Sequence, residues 1–136
     1  MPTKAQRITG WTLTVLVGLF LIGASGVPKF FDFPGKADLM AKLQVPLNLL
    51  TTLGVIEVSV AVLYLIPRTA FLGAILATAH LGGALWTHLR VGDTWYFPII
   101  IGVLMWTGLA LRRPVIFRLL LGQESLALAK DDAAQR

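Results

Sequence analysis

Two ionisable residues lie within apolar segments of this chain, where charged side chains are energetically unfavourable. Glu57 lies in the apolar segment 46–66, and His80 lies in the next segment, 69–89. A carboxylate at the centre of a bilayer costs about 2.5–3.5 kcal/mol on insertion scales, and such residues usually face the protein interior and pair with another polar group. If both segments cross a membrane, these two residues are the first candidates for chemistry.

The spacing of the two residues places them at nearly the same depth. Ten residues separate Glu57 from Pro67, and twelve separate Arg68 from His80. At the rise of an α-helix these distances are about 15 Å and about 18 Å, so the side chains lie within about one turn of each other in depth. The connection between the segments is so short that they must form a tight antiparallel hairpin. The hairpin permits contact between Glu57 and His80, but the spacing alone does not decide whether their faces meet.

Three roles are open for the pair. Glu57 and His80 could relay a proton, or they could hold the polar head group of a ligand between helices, such as a quinone carbonyl. In the third interpretation, Glu57 bonds His80, Ser59 or a helix end and only fixes the register of the helices. The residues themselves do not distinguish these roles.

Other ionisable residues lie at the ends of the predicted spans. Lys29 follows the first span, His88 lies in the last turn of the third, and Arg90 and Asp93 follow it. They could form a charged rim over the mouth of the bundle; the alternative is ordinary snorkelling of long cations, with His88 solvated or at the interface. His80 and His88, the only histidines, lie on neighbouring helix faces about 12 Å apart along the axis, which excludes two axial ligands of one haem.

The composition predicts a membrane protein. The 136 residues are 56% hydrophobic and 14% charged, with a mean hydropathy of +0.75, whereas a soluble domain has about 25% charged residues. The net charge is +5, and most basic residues flank apolar segments, so topology signals and contact with anionic lipid explain them better than nucleic-acid binding. The absence of cysteine excludes thiolate metal sites and dithiol chemistry by this chain alone.

The hydropathy pattern predicts an all-α integral membrane protein, a four-helix bundle. A span needs about 20 mostly apolar residues, and four segments qualify, at 8–27, 46–66, 69–89 and 95–111. They form one membrane domain, residues 1–122, followed by a polar, mobile tail at 123–136. Pro28 is expected to end the first span. Residues 30–44 mix apolar and charged positions, which predicts an interfacial amphipathic helix or a lid over the bundle mouth, and 115–121 could also lie along the interface.

Four crossings place both termini on one side of the membrane. The positive-inside rule favours the cytoplasm for that side, because it carries six basic residues against four on the other side: Lys4, Arg7, Arg68, Arg112, Arg113 and Arg118 against Lys29, Lys36, Lys42 and Arg90. Segment 8–27 could instead be a cleaved signal peptide, with Lys4 and Arg7 as its basic region. The length of the apolar run and the lack of an A-x-A site favour the span.

Several short stretches resemble the DoxX-like family of small four-helix bacterial membrane proteins. They are residues 25–30 (SGVPKF), 53–57 (LGVIE), 65–69 (LIPRT), 79–84 (AHLGGA) and 87–93 (THLRVGD). The resemblance implies a four-helix bundle in the bacterial cytoplasmic membrane. Members of the family include a subunit associated with a thiosulfate:quinone oxidoreductase, and distant eukaryotic relatives act as assembly factors for membrane proteins. The candidate residues fall on these stretches: Lys29, Glu57, His80, His88 and Arg90.

Two functional hypotheses follow. In the first, the protein is an accessory subunit of a quinone-linked redox system, at most a subunit of a membrane oxidoreductase, because it has no stand-alone catalytic motif. Quinone is then the one candidate cofactor, and no metal site is predicted. The ligand-binding candidates in the pocket are Glu57 and His80, and those at its mouth are Lys29, His88 and Arg90. In the second, the protein is a non-enzymatic scaffold or assembly factor for a membrane partner or a second copy. A carrier has little support, since the chain shows no internal repeat.

Overall fold

The computed structural model describes residues 2–123 and residue 133, and in that part of the chain all regular structure is helical. The predicted all-α class is therefore confirmed. Most of the predicted mobile tail lies outside the described residues. The α-helices are α1 Lys4–Leu19, α2 Lys36–Lys42, α3 Leu50–Leu65, α4 Ala70–Leu89, α5 Tyr96–Arg112 and α6 Pro114–Leu120.

The first helical run is longer at both ends than the apolar pattern predicts. It begins after Thr3, which forms a capping box with Gln6 and so satisfies backbone N–H groups of the first turn. Beyond α1 the chain continues through a π-helix, Phe20–Gly26, and a 3₁₀-helix, Val27–Phe30. The prediction that Pro28 ends the helix is wrong, because this proline lies in the first turn of the 3₁₀-helix, where a missing N–H is tolerated.

Three helical runs are long and apolar enough to cross a membrane, by length and composition: Lys4–Phe30, Leu47–Leu65 and Ala70–Leu89. The fourth predicted span corresponds to α5, which is apolar but has only 17 residues. At the rise of an α-helix it is about 25 Å long, somewhat less than the roughly 30 Å hydrocarbon core of a bilayer. A membrane protein is thus supported, and a bundle of four spans stays a prediction.

The four long helices pack in a closed circuit. α1 packs on α5, α5 on α4, α4 on α3, and α3 on both α1 and the π-helix that extends it. The connection from α3 to α4 is as tight as its length predicts, and Thr69 Oγ1 donates a 2.8 Å hydrogen bond to the carbonyl of Leu63 across it. Aliphatic and small side chains fill the interior, including Val17, Leu21, Ala61, Ala74, Met105 and Leu109.

One buried polar cluster lies at the end of the bundle that carries the N-terminus. The Tyr64 hydroxyl donates to the carbonyl of Met105 at 2.8 Å and lies 3.3 Å from Thr14 Oγ1. The Arg112 guanidinium donates to the carbonyl of Tyr64 at 3.1 Å and lies over the ring of Trp11, 4.5 Å from its centroid. Arg112 is only 7% exposed, so it is a buried residue as well as the basic end of a predicted span.

Candidate functional site

A cavity of about 600 Å³ lies at the opposite end of the bundle. It is surrounded by the π-helical extension of α1, the first turns of α3, the last turns of α4 and the start of α5, while α2 forms one wall. The lining is mostly apolar and includes Leu21, Leu39, Leu50, Leu53, Leu81 and Ile101. Its volume and apolar character are those of small-molecule sites, which are typically about 300–1,000 Å³.

Three ionisable side chains meet in this cavity. The Lys29 ammonium lies 2.5 Å from Glu57 Oε2, and His80 Nε2 lies 3.7 Å from Glu57 Oε1. Glu57 is only 3% exposed, and all three residues line the cavity. Neighbouring helices therefore bring Glu57 and His80 to one place, as their matched depth predicts. The distance of 3.7 Å is too long for a hydrogen bond, so Lys29 is the close partner of Glu57 and His80 is a neighbour.

Lys29 lies inside the cavity and not on the predicted rim. The helix continues through the π-helical segment past Pro28, and this turns the lysine toward α3. Its Nζ also donates to the carbonyl of Ser25 at 2.8 Å and lies 3.1 Å from Ser25 Oγ. Single π-turns within helices occur frequently at functional sites. The sequence signal that could have indicated this position is the four-residue spacing of Ser25 and Lys29, which places both on one helix face.

The other predicted rim residues fasten α2 to the end of α4. Asp93 accepts from Lys42 Nζ at 2.8 Å, and its other oxygen lies 2.9 Å from His88 Nδ1. Arg90 Nη2 donates to the carbonyls of Leu43 at 2.8 Å and Gln44 at 3.0 Å. His88 lines the cavity, whereas Arg90 is not among its lining residues and holds the backbone that follows α2. We call the four side chains Lys42, His88, Arg90 and Asp93 the mouth clamp.

Asp93, the acidic member of the mouth clamp, is ionised over the physiological pH range. Hydrogen bonds from Lys42 and then His88 lower the pKa of Asp93 from 3.8 to about 2. A carboxylate with a lowered pKa stabilises the folded state above its ordinary pKa, and this contribution is lost as the pH falls through the folded value. The Asp93 contribution is therefore present at neutral pH, starts to fall below about pH 4 and is lost as the pH approaches 2.

Neutralising Asp93 is expected to loosen α2 from the end of α4. Because the chain has no cysteine, Ala84→Cys gives one thiol in the cavity wall, and its rate of maleimide labelling reports access to the cavity. We expect Asp93→Asn to raise that rate about two- to fivefold, since an exposed ion pair contributes modestly. In the parent background the rate, normalised to free cysteine, should change little between pH 8 and pH 5.

Asp38→Asn is the matched control for this labelling experiment. Asp38 is an acidic residue of α2 with no ion pair among the described residues. Its neutralisation should leave the labelling rate unchanged. Equal rates in the Asp93→Asn and Asp38→Asn proteins would show that the clamp does not limit access to the cavity.

Three phenylalanines contribute the aromatic part of the cavity wall: Phe20, Phe33 and Phe97. The rings of Phe20 and Phe97 meet edge to face, with 5.4 Å between their centroids. Nothing in the spacing of these residues distinguishes them from ordinary core positions, and sequence reasoning did not identify them. Within residues 2–123, no group of three histidine or acidic side chains is arranged to hold a metal ion.

Helices apolar enough to span a bilayer, packed around an internal cavity with a buried ion pair, define a helical membrane protein. The chain belongs to the DoxX-like family, whose family model matches residues 12–108. This range confirms the resemblance and contains all five candidate residues. No curated protein and no solved structure matches the chain.

Proposed function

We propose that this protein is an accessory subunit of a quinone-linked membrane redox system and that its cavity holds a quinone-sized molecule. The observation that supports this most is the group Lys29, Glu57 and His80 inside an otherwise apolar cavity. A quinone combines carbonyl acceptors with an apolar ring and tail. The Lys29 ammonium and an N–H of His80 can donate to a carbonyl, while the phenylalanine and leucine walls suit the ring and tail.

The charge balance in the cavity favours an uncharged head group. Lys29 and Glu57 neutralise each other across 2.5 Å. A ligand with its own net charge would bring an unpaired charge into a mostly apolar space, at a substantial desolvation cost. A neutral quinone needs only hydrogen bonds, which these residues supply without losing their ion pair.

The topology that we propose has four crossings, with α5 as the fourth span and both termini in the cytoplasm of a bacterial cell. In support, α5 packs along α1 and α4, and the end with the termini carries more basic residues near the helix ends. The cavity would then open toward the outer face of the cytoplasmic membrane. In that arrangement α2 would serve as the interfacial segment.

The packing below the cavity supports a pocket that is closed at its base and not a path that continues through the bundle. Glu57 and Tyr64 are two helical turns apart on α3, and the buried side chains of Val60 and Ala61 lie between them. Leu21 of the π-helical segment and Met105 of α5 pack in the same buried core. No polar side chain of the described residues connects the two polar clusters, so the geometry favours a binding role over transport.

Binding of a short-chain benzoquinone to the purified protein tests the proposed function. We expect Glu57→Gln and His80→Ala each to weaken binding about tenfold. Glu57→Gln removes the carboxylate that holds Lys29, and His80→Ala removes a donor to the quinone carbonyl. Tyr64→Phe, at the other end of α3, is the control for general loss of packing and should bind normally. Unchanged binding in both cavity variants would remove the assignment.

A scaffold or assembly role is the second candidate. The exposed face of α4 supports it, because a Cβ atom at Gly82 would meet nothing within 4 Å, and Trp86, one turn further along the same helix, is 65% exposed. Small residues allow a partner helix to approach closely in a membrane. Purification from native membranes discriminates the two: a stoichiometric partner lost in a Gly82→Leu variant, with no quinone bound, would favour the scaffold.

A further inference from the structure

The end of the bundle that carries the N-terminus is strongly basic. It bears six basic residues and, among the described residues, no acidic one: Lys4, Arg7, Arg68, Arg112, Arg113 and Arg118. The described acidic side chains lie elsewhere, with Asp32, Asp38 and Asp93 around α2 and Glu57 in the cavity. This end therefore has a positive potential that protein groups in the described ranges do not neutralise.

A second, smaller hollow lies at this basic end, between the start of α4 and α6. It has a volume of about 320 Å³ and is lined by Phe71, Arg113, Ile116 and Leu119; we call it the α6 groove. The Trp106 ring lies behind it and meets Phe71 edge to face, with 6.1 Å between centroids. The groove is therefore an apolar surface with one guanidinium at its edge.

Arg113 has a side chain that is exposed and, within residues 2–123, makes no hydrogen bond or ion pair. Its neighbour Arg112 is buried, and two of its nitrogens, Nε and Nη1, have no hydrogen-bond partner among the described residues. A buried guanidinium without an acidic partner is unfavourable, and a negative group nearby would offset its charge. Arg113 lines the α6 groove and has no partner among the described residues, so its guanidinium makes the edge of the groove a favourable position for an anion, while the buried Arg112 adds to the positive charge of this end.

We propose that the α6 groove binds one anionic phospholipid, with the phosphate on Arg113 and an acyl chain against Phe71, Ile116 and Leu119. A guanidinium presents parallel N–H donors that match phosphate oxygens. The apolar lining suits an acyl chain, and Arg113 directly follows α5, where a span would reach the head-group level. Neighbouring basic residues add attraction to an anionic leaflet. This site is independent of the quinone proposal.

Native mass spectrometry of the full-length protein with phosphatidylglycerol or phosphatidylcholine tests the site. We expect one phosphatidylglycerol to remain bound per chain, and phosphatidylcholine to bind at least about tenfold more weakly because it has no net charge. Arg113→Gln should weaken phosphatidylglycerol binding by about tenfold or more, since charge-assisted hydrogen bonds are lost. Leu119→Ser should also weaken it, through the acyl chain.

Arg7→Gln is the matched control, because it removes one charge from the same end of the bundle, at a residue of α1 that does not line the α6 groove. A loss no greater than about fivefold is expected there from the general attraction alone. Equal losses in the Arg7→Gln and Arg113→Gln proteins would overturn the site in favour of diffuse attraction. Equal binding of the two lipids would overturn it as well.

The acidic residues of the C-terminal segment are the competing occupant. Glu124, Asp131 and Asp132 can be changed together to their amides in the full-length chain. Unchanged lipid binding in this variant supports the lipid as occupant. A rise in lipid binding would show that these carboxylates hold Arg113 in the native protein, and would overturn the proposal.

Discussion

Replacing Lys29 with methionine is expected to lower the free energy of unfolding by about 3–5 kcal/mol, because it leaves the Glu57 carboxylate buried without its countercharge. Glu57 is almost fully enclosed, and among the described residues the lysine ammonium is its only close charged partner, at 2.5 Å. His80 Nε2 stays 3.7 Å away, beyond hydrogen-bond distance. The methionine preserves most of the side-chain volume, so the expected loss comes from the charge and not from a cavity.

Unfolding of the protein in detergent micelles, followed by tryptophan fluorescence at neutral pH, measures this effect. Lys4→Met is the matched control, since Lys4 is an exposed residue in the first turn of α1 and should contribute little. The double variant Lys29→Met/Glu57→Gln should be more stable than Lys29→Met alone, because the unpaired charge is then also removed. If Lys29→Met unfolds like Lys4→Met, or if Glu57→Gln restores nothing, the ion pair does not stabilise the fold.

The meeting of Glu57 and His80 could be predicted from the sequence because it depends on regular geometry. An α-helix rises by a constant distance per residue, and the short α3–α4 connection fixes the two helices side by side. Counting residues from the hairpin therefore gives the depth of each side chain. The spacing does not determine whether the helix faces that carry Glu57 and His80 point toward each other. The packed structure shows both residues on the cavity wall.

The position of Lys29 could not be predicted in the same way. A π-turn inserts an extra residue into the helical repeat, and this changes which residues beyond it face the interior. Phe20–Gly26 forms a π-helix, and nothing in the composition of this segment distinguishes π from α hydrogen bonding. Pro28 favours an earlier helix end, which predicts Lys29 at the mouth, whereas the structure shows Lys29 as the partner of Glu57.

The burial of Arg112 also depends on close contact between two helices. An arginine after an apolar segment usually extends to the interface. Here α1 and α5 approach closely at Gly10 and Gly108, where a Cβ on Gly10 would lie 2.8 Å from the backbone nitrogen of Arg112. The side chain of Arg112 is enclosed between the rings of Trp11 and Tyr64 as a result. The close contact of α1 with α5 cannot be predicted from the sequence of either helix alone.

Gly73→Ala is expected to destabilise the protein by about 1–3 kcal/mol, because the added methyl group overpacks the contact between α3 and α4. A Cβ at this position would lie 2.3 Å from the backbone nitrogen of Tyr64 and 2.6 Å from the carbonyl carbon of Leu63. Both atoms belong to the backbone and cannot rotate away, so the helices must separate. Such a shift would also disturb Tyr64, whose hydroxyl is bonded to the carbonyl of Met105.

Gly82→Ala on the same helix is the matched control for this substitution, since a Cβ there meets nothing within 4 Å. Its expected effect is neutral or stabilising by up to about 1 kcal/mol, the difference in helix propensity between alanine and glycine. Thermal unfolding in one detergent compares the two variants with the parent protein. The contact of Gly73 with the α3 backbone predicts that only Gly73→Ala lowers the stability, and an equal loss of stability in both variants would contradict it.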